Sequence, residues 1–307
     1  MVSGSKITVI GAANKDIIAK STGKFIAKDS NIGHITSSFG GVGRNIAHNC
    51  GLLGLDTAFV SAVGADGDSA AMITGLNRIG VDTSRVLSSE EYSTGTYIAV
   101  FDEKGDMVCA VNDMSITDAL NKNYLSSLEF APGIIALDTN LSGEALEYIL
   151  SLKGFTFFAE PVSVNKAGRL IPYLSQIDVI KPNVYEAAFL SGVEINGEKD
   201  IYAAGEKLLA SGVKQVYITS GEQGVYAFCE KGSFHRKPYK TRIVNANGAG
   251  DAFSAGVLYG LINDYAIQKI CAFACGCSCF ALESEGTINT ALSEKAVSDK
   301  IKGEEIS

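Results

Sequence analysis

The amino-acid sequence predicts an α/β fold with a largely parallel sheet covered by helices on both faces. Three observations predict it. Short apolar runs of strand length alternate with helical patterns, and glycine- and asparagine-rich motifs follow the runs, where parallel sheets present their ligands. An apolar fraction of 46% against 20% charged residues supplies a sizeable core and argues against disorder.

The candidate strands are Lys6–Gly11, Thr57–Val63, Gly133–Asp138, Thr156–Ala159, Val179–Lys181 and Gln215–Thr219. Helical patterns cover Gly43–Leu53, Ala65–Arg78, Ser142–Leu152, Tyr185–Ser191 and Ile201–Ser211. Alternation at this spacing implies right-handed βαβ crossovers. Two segments interrupt it. Ile17–Ser38 mixes β-branched and polar residues, and Ser93–Asn112 reads as a hairpin turning at Asp102–Asp106. They form either a small antiparallel sheet suited to a lid, over about 14–38 and 93–113, or two ordinary surface hairpins. After Asp251 the pattern changes to long apolar helices, Ala252–Leu261 and Ala266–Leu282. With no linker, repeat or low-complexity tract, residues 1–307 read as one domain.

A net charge of −8 argues against a nucleic-acid groove or an anionic membrane surface as partner, though a local site can still hold an anion. No apolar run approaches the ~20 residues of a membrane span. The start of the chain, Met1–Lys6, is short and polar and lacks a secretory pattern, so a cytoplasmic protein is expected. Seven cysteines, an odd number, then read as thiols. Cys271, Cys275 and Cys279 recur every four residues along one helical stripe, with Cys277 off it. Buried core thiols fit that stripe better than a metal site, because no histidine is near.

Five motifs carry candidate chemistry. In Asn247-Gly248-Ala249-Gly250-Asp251, small residues let backbone amides converge at a helix start and hold an anion. Asp251 beside them can take a proton from an attacking hydroxyl, or can simply cap the helix. In Gly40-Gly41-Val42-Gly43-Arg44-Asn45, paired glycines permit close approach and Asn45 can bond sugar hydroxyls; a plain glycine turn is the alternative. Asn14 and Asp16 follow the first strand, where a carboxylate suits a vicinal diol or an Asx-turn. Asn183 and Glu186, three apart at a helix start, suit either a hydrated Mg²⁺ with its phosphates or a capping box. Ser220-Gly221-Glu222-Gln223-Gly224 is a glycine turn able to lie against a nucleotide, or a simple hairpin. A Walker loop and a Gly-x-Gly-x-x-Gly after the first strand are both absent, which disfavours P-loop ATPases and dinucleotide oxidoreductases.

Taken in chain order, Asn14-x-Asp16, Gly40-Gly41 with Asn45, Lys181-Pro182-Asn183-x-x-Glu186, Ser220-Gly221-x-x-Gly224 and Gly248-Ala249-Gly250-Asp251 resemble the PfkB, or ribokinase-like, family of carbohydrate and nucleoside kinases, over residues 6–290. The resemblance implies a three-layer α/β/α ribokinase-like fold with a mostly parallel central sheet and a small β-sheet lid that often makes a homodimer. It implies ATP as donor, Mg²⁺ as cofactor and a small nucleoside or sugar as acceptor. Asp251 would be the general base and Gly248, Ala249 and Gly250 would form the anion hole with it. Asn183 and Glu186 would organise Mg²⁺ through water. Ser220, Gly221, Gly224, Gly248 and Gly250 would line the nucleotide, with Cys277 to Asn289 near the adenine. The block Gly40–Ala47, Val111–Met114 and Gly276–Ser278 are similar to the pseudouridine kinase branch. That likeness implies acceptor contacts from Asn14, Asp16, Gly40, Gly41, Arg44, Asn45 and Asn112, and transfer to a nucleoside 5′-hydroxyl. Alternatives are a ribose, fructose or other nucleoside kinase, and a non-catalytic sensor on the same fold. Two departures stand out. Asn245-Ala246-Asn247 replaces the usual Asp-Thr and following Thr, which removes the groups that support a potassium-type site. Glu160 stands where Asp is usual.

Overall fold

The structure, a computed structural model, describes residues 6–306; Met1–Ser5, and with them the reading of the polar start, lie outside the described residues, as does Ser307. The chain begins β1 (Lys6–Ile10), β2 (Asn14–Ser21), β3 (Gly33–Gly40), α1 (Val42–Leu52), β4 (Thr57–Gly64), α2 (Gly67–Arg78) and β5 (Asp82–Ser89). It continues β6 (Gly95–Phe101), β7 (Met107–Asp113), α3 (Lys122–Ser126), β8 (Gly133–Asp138), α4 (Gly143–Ser151), β9 (Thr156–Glu160), α5 (Val164–Ala167) and β10 (Val179–Ile180). It ends α6 (Val184–Ser191), α7 (Glu198–Ala210), β11 (Gln215–Thr219), β12 (Val225–Cys229), β13 (Gly232–Arg236), α8 (Ala249–Ile262), α9 (Ile267–Leu282) and α10 (Glu294–Ile306). Each of the six strands expected from the sequence forms. So do the helices, with ends that move by a few residues.

Among the described residues, one large sheet runs in the order β13-β12-β11-β10-β9-β8-β1-β4-β5. From β11 to β5 every pairing is parallel, and the antiparallel strands β12 and β13 close one edge. Alternate residues face opposite layers even though both faces are buried. Ile7, Val9, Ile134, Ala136 and Phe158 join the core under α1, α2, α8, α9 and α10. Ile10, Ile135, Leu137, Phe157 and Ala159 join the core under α3, α4, α6 and α7. Near-continuous apolar strands are what such double coverage requires. The result is a three-layer α/β/α body. No described helix is long and apolar enough to cross a membrane.

The two segments that break the βαβ rhythm meet in a second, four-stranded sheet, β3-β2-β6-β7. Register places Asn112, Tyr97, Asp16 and Ser38 in one transverse row, so their side chains share a face. The next row, Val111-Ile98-Ile17-Ser37, and the row two further on, Cys109-Val100-Ala19-Ile35, point the other way. That outer face is apolar and open, with Ile35 74% and Val111 64% exposed.

Cys271, Cys275, Cys277 and Cys279 are all buried in the core on the α8 and α9 side, together with Cys50. Burial raises the Cys50, Cys271, Cys275 and Cys277 thiols well above their ordinary range.

Candidate active site

The order of the large sheet reverses between β1 and β8, since β4 and β5 lie to one side and β8 to β13 to the other. In parallel sheets that is where a crevice opens beyond the carboxyl ends. The sequence motifs converge on that edge. Gly11–Ala13 follow β1, Asp138 and Glu160 end β8 and β9, Lys181 follows β10, and Ser220 follows β11.

On the acceptor side, Asn14, Asp16, Gly40, Gly41, Arg44 and Asn45 come together. Asn14 Nδ2 donates to Asp16 Oδ1 at 2.6 Å, and Asp16 lies directly over Gly40. Burial raises the Asp16 carboxyl, opposed by the Asn14 hydrogen bond and by Arg44. Arg44, 5% exposed, donates from Nη1 to Asn45 Oδ1 at 3.0 Å and from Nη2 to the Phe39 carbonyl. Its buried Nε–H finds no protein partner, which leaves one unspent donor at the acceptor side. Burial lowers Arg44 to about 10, against the pull of Asp251 and Asp16. Asn112 is exposed on the outermost strand of the small sheet, in the row of Asp16 and two strands away from it.

Asn45 reaches across the crevice to the glycine loop. Its Nδ2 donates to Asp251 Oδ2 at 2.7 Å, and its Oδ1 is occupied by Arg44. Asp251 sits in the first turn of α8, whose cap is Gly248 in the left-handed region at φ 80°. Side chains cap α2 (Asp66), α4 (Ser142) and α6 (Asn183), but none caps α8. The first amides of a helix have no partner within it, so the Gly248–Asp251 amides are available to an anion. Burial raises the Asp251 carboxyl to about 6; Asn45, Lys181 and Arg44 hold it down and Asp138 pushes it further up.

The nucleotide side is partly as the motifs suggest. Asn183 Oδ1 accepts from the Tyr185 and Glu186 amides at 2.9 and 3.0 Å, and Glu186 Oε2 accepts from the Asn183 amide at 2.9 Å. The capping box is therefore formed. It consumes both lone pairs of Asn183 Oδ1, so the expected metal contact through water falls to Glu186, and Asn183 retains only Nδ2, a donor suited to phosphate. Ser220, Gly221 and Gly224 form the β11–β12 turn, closed by the Ser220 amide donating to the Gly224 carbonyl at 2.8 Å. The adenine assignment of Cys277 needs correction. Its side chain is fully buried between α8 and α9, so it cannot face a nucleotide; the next residue, Ser278, is the one nearer the loop and bonds the Ala249 carbonyl at 3.0 Å. Asn289 spends its side chain on its own connection, donating to the Phe280 carbonyl and accepting from the Ala291 amide. Asn245, at one of the departures from the family, donates to the Glu285 carbonyl and accepts from the Asn247 amide, which ties this loop to residues 282–287.

Two buried charged groups at this edge, Asp138 and Lys181, are absent from the sequence-based assignment. Asp138, completely buried, accepts from the amides of Ala12 and Gly43 at 2.9 Å each and so joins the β1 turn to the start of α1. Burial raises its carboxyl, and these amides oppose the rise. Lys181 forms a buried ion pair with Glu160 at 3.0 Å. Burial works against the Lys181 ammonium, but the carboxylates of Glu160, Glu186 and Asp251 raise it overall.

Such a site can move a phosphoryl group onto a hydroxyl: a base at an uncapped helix N-terminus, facing polar groups that can orient an acceptor. That sets the protein among the α/β/α small-molecule kinases. The sequence as a whole agrees. Residues 5–295 match the pfkB family of carbohydrate kinases, and the chain belongs to that family of ATP-dependent phosphotransferases. It is 36% identical over 293 residues to the pseudouridine kinase of Escherichia coli (strain K12), covering 94% of this chain and 93% of that protein. A solved structure from Clostridium perfringens is 31% identical with a TM-score of 0.88, covering 98% of this chain and 96% of that one. Arabidopsis thaliana ribokinase, solved with ribose and ATP, shares the fold at 20% identity and a TM-score of 0.82, over 97% of this chain and 98% of that one.

Proposed function

We propose that this chain transfers the γ-phosphoryl group of ATP to the 5′-hydroxyl of a nucleoside, with pseudouridine as acceptor. The observation that carries the reading is Asp251 at the uncapped start of α8, bonded to Asn45 and facing the acceptor residues. Likeness to the Escherichia coli pseudouridine kinase supports the choice of acceptor. Asp251 would take the hydroxyl proton while the Gly248–Asp251 amides stabilise charge on the transferred group. Asp16, Asn14, Arg44 and Asn45 would orient the sugar, with Asn112 reaching in from the small sheet, which would act as a lid. The open apolar face of that sheet would make a homodimer, as the family resemblance implies.

Among the described residues no three His, Cys, Asp or Glu side chains converge on a metal. Mg²⁺ needs no such cage, because it keeps waters and binds through one carboxylate and substrate phosphates. Glu186 fits that part. It is 3% exposed, and with Oε2 on the Asn183 amide its Oε1 could take a metal-bound water. The ion, when bound, would neutralise phosphate charge.

The test is ADP release with pseudouridine, uridine, adenosine, ribose and fructose. Pseudouridine is expected to give the highest kcat/KM. A large preference for ribose or fructose would make this a sugar kinase, and saturable binding without ADP would make it a sensor. The ionised Asp251 is the working form, so kcat/KM is also expected to fall about tenfold per unit below roughly pH 6, from the elevated Asp251 carboxyl. An acid limb near pH 4 would sink that assignment.

A further inference from the structure

We propose that Lys181 is a positioning residue for phosphoryl transfer: clamped by Glu160 under the glycine loop, it supports Gly250 and keeps the neighbouring Asp251 ionised. The role rests on the kinase reading above.

The geometry joins the ends of three elements. Lys181, 5% exposed, follows β10 and its amide donates to the Ala159 carbonyl of β9 at 3.2 Å. Its Nζ lies 3.0 Å from Glu160 Oε2. The same Oε2 accepts from Ser254 Oγ at 2.7 Å, and Ser254 Oγ also reaches the Gly250 carbonyl at 3.1 Å, one turn back along α8. From the other side, Nζ rests against Gly250, where an added Cβ would lie 3.2 Å away. One buried carboxylate therefore serves the end of β10 and α8 at once, and a lysine lies beside the middle of the anion-binding loop. A shorter aspartate at position 160, starting from the same backbone, would have one methylene less with which to reach Lys181 and Ser254.

Stability alone does not call for this pair, since apolar or neutral groups of similar volume generally serve a core as well as a buried ion pair does. What the charge adds is its effect on its neighbours. The groups that face Asp251 are Arg44 from α1, Lys181 from the end of β10, Asp138 from the end of β8, Glu160 from the end of β9, and the neutral Asn45 amide. Of the two cations, Arg44 also serves Asp16 and binds the Phe39 carbonyl, whereas Lys181 is enclosed by carboxylates on the glycine-loop side. Removing Lys181 would leave Asp138 and burial to favour the protonated, inactive base.

The test uses the paired variant Lys181→Met/Glu160→Gln, which removes both charges and leaves no lone ion in the core. Lys181→Met alone would strand Glu160, and its failure to fold would decide nothing, so thermal unfolding of the paired variant is checked first and is expected to match wild type. Carbon-13 NMR of the ligand-free protein, assigned against Asp251→Asn, then follows the Asp251 carboxyl. Its midpoint is expected to rise, by less than loss of Lys181 alone would cause because the Glu160 repulsion goes with it, and the acid limb of kcat/KM to move with it. Plateau kcat is expected to fall about tenfold at near-constant KM for ATP, as the loop loses its support. A midpoint and an acid limb that coincide with wild type would overturn the proposal. Absence of turnover by the wild-type protein with every acceptor would instead overturn the kinase reading, and the transfer role of Lys181 with it; the NMR midpoint separates the two failures because it needs no turnover.

Discussion

Replacing Asp251 by Asn is expected to lower turnover roughly 10²–10⁴-fold while ATP binding stays near wild type. The amide keeps the shape of the side chain and can still accept from Asn45, so the loop and its amides remain in place; only the proton acceptor is lost. Stability should change in a way that an unrelated defect would not reproduce. Burial holds the folded Asp251 carboxyl at about 6, above its ordinary 3.8, so the native state favours the protonated form. Wild-type stability contributed by this group is intact below about pH 4 and is lost as pH rises to about 6. Asn carries no such loss. The variant is expected to unfold at a higher temperature than wild type at pH 8 and to converge with it near pH 4. Near-normal turnover would remove Asp251 from the mechanism, whatever the stability result.

Gly248→Ala is expected to cost at least about 10²-fold in kcat, on the scale of losing a preorganised oxyanion donor. Two independent constraints meet at this residue. Its φ of 80° suits glycine, and an added Cβ would lie 2.1 Å from the Thr287 carbonyl oxygen. That contact is with backbone, so the loop must move rather than a side chain swing away. The amides that start α8 would then no longer converge where the phosphoryl group develops charge. Steady-state kinetics beside thermal unfolding checks this, and kcat within threefold of wild type would show that the amides do not act in transfer.

Much of this arrangement was legible before any coordinates, for a physical reason. In a parallel sheet every ligand-facing loop follows a strand, so an apolar run ending in Gly, Asn or Asp marks both an element and its site edge. Asn14, Asn183 and Ser220 stand out this way, whereas Asn45 and Asp251 stand out as polar residues in glycine-rich loops that lead into helices. The strand β5 was not, because Asp82-Thr83-Ser84-Arg85 is polar, as an edge strand can be. The polar helix α10 escaped for a similar lack of apolar periodicity. Asp138 was visible only as the end of a strand; its partners Ala12 and Gly43 lie 126 and 95 residues away in the chain. Lys181 is visible in the sequence as the end of the candidate strand Val179–Lys181, yet its worth comes from Glu160 and Gly250, which only the fold brings to it. Cys277 shows the opposite error. A helix near a nucleotide loop has one face toward it and one toward the core, and the motif alone did not say which face this thiol occupies.

The burial of the cysteine-rich helix has a practical consequence. With Cys50, Cys271, Cys275, Cys277 and Cys279 enclosed and Cys229 half-buried, Cys109 is the exposed thiol. It lies on the open apolar face of the small sheet, in one row with Val100, Ala19 and Ile35. A thiol-selective dye added to the native protein should therefore mark that face first. The rate of its reaction, followed across protein concentration, would report whether a second copy shields Cys109, without any mutation.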